Sequence, residues 1–170
     1  MSRFARIVDA ISRVMLLISS FMLAAMMLVV LAEVSTRALF GFTGGGVDFT
    51  FTGGIELVRF ALLFAILYAL PWNVDRSQVV VDLFTNNMSK RAIAALQASC
   101  FIGYFLLALA MSYRFWGSIS QAHLSGETTQ DLSMPMSYIY AATLVGTGML
   151  CLRSLVVAGR RIREAMGYQS

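Results

Sequence analysis

The chain has 170 residues, 58% of them hydrophobic and 13% charged, with a mean hydropathy of +0.74. A soluble domain carries about a quarter charged residues, and a body this small has too little interior to hide so much apolar surface. An ordinary water-soluble fold is therefore excluded, and the length gives a single domain over residues 1–170 as the prior.

Residues 2–13 set Phe4, Ile7, Val8 and Ile11 at helical spacing, with Arg3, Arg6 and Arg13 elsewhere around the wheel. That pattern predicts a short helix in the membrane interface, its guanidinium groups near anionic headgroups; a disordered basic tail is the alternative. A charge-free run of 19 residues follows, Val14 to Ala32. A secretory signal also has a basic start, but its apolar core is about 7–15 residues and ends at a cleavage site. The longer run, with three more behind it, predicts a membrane anchor.

The next segment alternates Gly41, Gly44, Gly45, Gly46, Gly53 and Gly54 with Phe40, Phe42, Phe49 and Phe51. Glycine weakens helices and phenylalanine leaves water. The segment reads either as a stretch lying on the outer surface or as a mobile loop. The second charge-free run, Phe60 to Val74, is only 15 residues. A spanning helix needs about 20, so this one must take in Glu56 and Arg59. Pro71 near its far end should kink or stop it, and Trp72 suits an interface. The loop that follows, Gln78 to Phe84, is apolar enough to touch lipid or protein.

The third run, Ala92 to Tyr113, and the fourth, Leu132 to Leu152, each meet the length requirement. The sequence thus predicts an all-α membrane protein with spans near 14–36, 54–74, 92–113 and 132–153. Ala95, Ser99 and Gly103 repeat at four-residue intervals in span three, as do Ala142 and Gly146 in span four. Such stripes predict close helix packing. Arginine and lysine gather on one side of the membrane: Arg3, Arg6, Arg13, Arg76, Lys90, Arg91, Arg153, Arg160, Arg161 and Arg163, against Arg37, Arg59 and Arg114 on the other. The positive-inside rule then puts both termini in the cytoplasm. The net charge of +4 reports topology, and no nucleic-acid partner is expected.

Catalytic and cofactor chemistry is not encoded. The single histidine, His123, falls in a loop, whereas membrane haem proteins need axial histidines at depth. Cys100 and Cys151 lie in separate spans, without metal-ligand spacing. No triad can form, and no phosphate-binding loop is present. Neither an enzyme, nor a metal site, nor a cofactor is expected.

Ionisable groups at membrane depth generally have a purpose. Glu33 and Arg37 are four residues apart, Glu56 and Arg59 three, so each pair shares a helix face with the acid first. Because span one runs outward and span two returns, all four should lie at one depth. They are expected either to form an ion-pair network between the helices or to face a partner protein. The bland reading is that they mark where the helices leave the bilayer.

The order Arg37-Ala-Leu-Phe-Gly41, then Glu56-Leu-Val-Arg59-Phe, then Val81-Asp82-Leu83, resembles the DctQ-like small membrane subunit of tripartite ATP-independent periplasmic (TRAP) transporters. Gly126 to Leu132, Pro135 and Tyr138 to Tyr140 extend the likeness, which covers roughly residues 10–160. Gly53 and Ile55 stand near places where the family often has tryptophan and a second glutamate, and the linker from Tyr68 to Asp82 is longer. The resemblance implies residence in the bacterial inner membrane and two partners: a large multi-span subunit that carries the transport sites, and a periplasmic substrate-binding protein. It implies ion-gradient-driven uptake, often Na⁺-coupled, of an organic acid, with this chain as a scaffold. The small subunit of a tripartite tricarboxylate transporter and an autonomous proton-coupled exporter are the alternatives. A membrane anchor for a soluble enzyme finds no docking signature. The exporter needs an unpaired membrane carboxylate, for which Glu33 is the candidate.

Overall fold

A computed structural model describes residues 3–44, 46, 53–74 and 90–165. Four helices make up nearly all of them: α1 (Arg3–Phe42), α2 (Gly54–Asn73), α3 (Lys90–Ser125) and α4 (Met136–Ala165). Each holds a stretch long and apolar enough to cross a membrane, where a helix satisfies its own backbone groups and an open strand could not. The apolar loop from Gln78 to Phe84 and most of the glycine–phenylalanine segment lie outside the described residues.

Local chemistry sets the helix ends. At the end of α1, Thr43 returns both its amide (3.0 Å) and its hydroxyl (2.9 Å) to the Leu39 carbonyl. Gly44 follows at φ +59°, a left-handed terminus that glycine adopts without strain. Gly126, at φ +66°, closes α3 in the same manner. Pro71 stops α2 within two residues without preventing the last turn, where the Val74 amide bonds to Leu70 at 2.9 Å. Pro135 stands just ahead of α4, its carbonyl accepting from the Tyr138 amide.

The separate interfacial helix expected at the N-terminus is not a separate element. Residues 3–13 continue unbroken into α1, with Ala5, Val8 and Ser12 buried in line with Met15 and Ser19. The reason is packing: Val8 and Met15 share a cluster with Met149 on α4, so this stretch is held by the bundle.

Helices α1 and α2 form one antiparallel hairpin and α3 and α4 another, and α4 joins them by touching both α1 and α2. Half of α4's apolar stretch is buried, against 11% of α1's. Helix α4 is therefore the axis, and α1 presents most of its surface to lipid. Phe101 and Ala108 of α3 pack with Val74, Leu150 and Val157. On the other side, Gly146 admits α2 closely: a Cβ there would sit 2.7 Å from two Leu67 side-chain atoms. Tyr68 donates its hydroxyl to the Ala142 carbonyl at 3.1 Å, and Ser19 ties α1 to the Ala65 carbonyl at 2.5 Å.

These contacts fix relative depth. Ser19 is level with Ala65, Leu67 with Gly146, and Asp9 with Arg153. The Phe115 and Tyr140 rings lie 6.1 Å apart, with Phe101 opposite Leu150 and Val157. The charge-free run of α3 is thus displaced along α4 by about ten residues, or about 15 Å at helical rise.

Candidate functional site

The polar groups of the bundle gather at its two ends. At the end remote from the termini, Glu56 projects from the first turn of α2 and is buried, at 8% exposure. Its carboxylate accepts the backbone amides of Gln130 (3.2 Å), Asp131 (2.8 Å) and Leu132 (2.8 Å). Thr129 accepts the Met134 amide at 3.1 Å, while its own amide bonds the Met134 carbonyl at 2.9 Å. Thr128 bridges to Pro135, and Ser133 takes a left-handed φ of +50° to close the turn. One carboxylate thereby fixes the whole α3–α4 connection. Charge-assisted bonds of this kind are stronger than neutral ones.

Beside it, Glu33 of α1 pairs with Arg37 at 2.6 Å. The other carboxylate oxygen lies over Gly54, where an added Cβ would meet it at 2.7 Å. Gly54 opens α2, so Glu33 rests on the positive end of that helix, where negative charge is favoured. The absent side chain at Gly54 is what permits the approach.

The four residues singled out in sequence do not close into one ion-pair network. Glu33 and Arg37 pair within α1; Glu56 turns to the loop amides; Arg59, one turn on, is exposed and has no ion pair among the described residues. The reason is geometric. Three adjacent amides with no other acceptor offer Glu56 more bonds than a single guanidinium on its own helix. The packing stripe divides as well. Ala142 and Gly146 meet α2, whereas Ala95, Ser99 and Gly103 are exposed and the buried α3 face runs through Ala98, Phe101 and Ala108.

At the end holding both termini, Arg153 of α4 is 5% exposed and hydrogen-bonds Asp9 of α1. Arg160 lies 3.7 Å from the other Asp9 oxygen, and Arg13 stacks 5.6 Å above the Trp72 ring. The sequence reading missed this junction. Its signal was Asp9, a lone acid beside Val8 and Ile11, and Arg153, the charge that ends the fourth run.

Glu56, Glu33 and Asp9 are thus each paired with hydrogen-bond donors. Among the described residues no group of His, Cys, Asp and Glu could hold a metal ion, and His123 and Cys100 are exposed on α3. Between α1 and α2 lies an open cleft of about 480 Å³, lined entirely by apolar side chains such as Phe21, Met26 and Leu57. Such a cleft suits an acyl chain and offers an ion or an organic acid nothing to bind.

No curated protein and no solved structure matches this sequence. The family model described as the DctQ component of tripartite ATP-independent periplasmic transporters matches residues 26–164, which include α2, α3 and nearly all of α4. The tricarboxylate alternative loses its footing with that match. The chain belongs to the DctQ family: it is a small inner-membrane component of a TRAP transporter, and not an enzyme.

Proposed function

We propose that this chain is the fixed scaffold of a transporter that takes up an organic acid on an ion gradient. A large multi-span subunit carries the moving transport sites, and a periplasmic protein delivers the substrate. Both termini lie in the cytoplasm, in keeping with the arginine-rich end of the bundle. The carrying observation is the Glu56 clamp. A carboxylate satisfied by three backbone amides holds a loop in place and has no reason to load and release an ion. The autonomous exporter is disfavoured on the same ground, since its candidate acid, Glu33, is already paired with Arg37.

Co-expression with the large subunit tests this reading. A tag on the small chain should recover the large subunit through detergent extraction and size-exclusion chromatography. Elution of the small chain alone, with the large subunit folded but separate, would contradict it.

A further inference from the structure

Helix α3 carries polar side chains on an exposed face at a depth where its neighbours are largely apolar, the exposed Arg59 of α2 standing about one turn away. Phe115 sits against Tyr140, which sets Arg114 level with about Ala141 to Leu144 of α4. Through the Gly146–Leu67 and Ser19–Ala65 contacts, that level meets α2 near Leu62 and α1 near Phe21, which is 75% exposed. Arg114 is exposed, and among the described residues it has no ion-pair partner. Apart from Arg59, itself exposed among apolar side chains of α2, the nearest charged groups are Glu33 beside Gly54 on one side and Arg13 and the Asp9–Arg153 pair on the other. Each is about eight or more residues away along the bundle, or about 12 Å at helical rise. That is more than an arginine side chain spans, so it cannot snorkel out of the apolar zone. A bilayer placed lower, to free Arg114, would leave Met27, Leu28 and Leu31 of α1 standing in water at 51–67% exposure.

The same face has a shape. Gly117 has open space where a Cβ would point, and Tyr113, Arg114, Trp116, Ser118 and Gln121 surround it in an open notch of about 570 Å³. A glycine between long side chains lets a second helix approach closely, and the flanking arginine and glutamine offer it donors.

We infer that this notch on α3, centred on Gly117 with Arg114 beside it, seats a transmembrane helix of the large subunit that carries a carboxylate or other strong acceptor facing Arg114. The inference rests on the scaffold role proposed above and assigns it a face. Charge complementarity selects the occupant: lipid tails cannot solvate a guanidinium, whereas an acidic or carbonyl-rich helix can.

Photo-crosslinking in the assembled transporter tests it. Benzoylphenylalanine in place of Tyr113, an aromatic for an aromatic, should join the small chain to the large subunit on irradiation. Arg114→Leu should lower recovery of the large subunit about tenfold or more, while the isolated small chain melts at the same or a higher temperature. Normal recovery with Arg114→Leu, or adducts at position 113 formed with lipid alone, would overturn the assigned face and leave the scaffold role standing. Failure of the unsubstituted chain to recover any large subunit would overturn both.

Discussion

The Glu56 carboxylate lies 2.8 Å from the Leu132 amide, joining the first turn of α2 to the turn that precedes α4, seventy-six positions away in the chain. This bond and its neighbours to Gln130 and Asp131 make the α3–α4 connection a rigid part of the bundle. Glu56→Ala should therefore speed hydrogen exchange at the amides of residues 130–132 by more than tenfold, with Glu56→Gln in between. Unchanged exchange in that turn would show that its own Thr129–Met134 bonds suffice. Glu127→Ala serves as the control, because Glu127 is exposed and contributes its backbone carbonyl to the turn.

The Asp9–Arg153 pair makes a second, energetic prediction. Removing one partner of a largely buried pair takes away its countercharge, at a cost of about 3 kcal/mol. Asp9→Ala should lower the thermal midpoint in detergent accordingly, and Arg153→Met in the Asp9→Ala background should restore most of the loss. Additive losses from the two substitutions would mean that the groups do not act as a pair.

Glycines in the two halves of the small-residue stripe should behave differently. Gly146→Ala drives a methyl into Leu67 and should destabilise by about 1–3 kcal/mol. Gly103→Ala meets open space and should change stability by about 0.5 kcal/mol or less in either direction. Equal effects, measured as unfolding midpoints, would contradict the observed packing of α4 on α2.

Ser19→Ala removes the bond from α1 to the Ala65 carbonyl. Polar contacts between membrane helices average about 0.6 kcal/mol, so a small loss is expected. A loss of several kcal/mol would mark Ser19 as the hinge of the α1–α2 hairpin.

The four helices were legible because charge-free runs report membrane length directly: Val14–Ala32 falls within α1, and all but the first four residues of Leu132–Leu152 fall within α4. Local spacing also identified the Glu33–Arg37 pair, four residues apart on one helix. What spacing cannot convey is which residue of one helix stands beside which residue of another. The Glu56 clamp and the Asp9–Arg153 pair join residues 74 or more positions apart, and both depend on that alignment. The stripe of Ala95, Ser99 and Gly103 shows the same limit. Its spacing marks a helix face, yet Phe101, a large side chain, fills the α3–α4 contact instead and turns the small residues outward.

Ion-gradient-driven flux in proteoliposomes bears most directly on the scaffold role. With this chain as the sole protein, an imposed Na⁺ or proton gradient should drive no organic-acid uptake above empty vesicles. Adding the large subunit and the substrate-binding protein should produce uptake. Gradient-dependent accumulation by the small chain alone would contradict the assignment of transport to its partners.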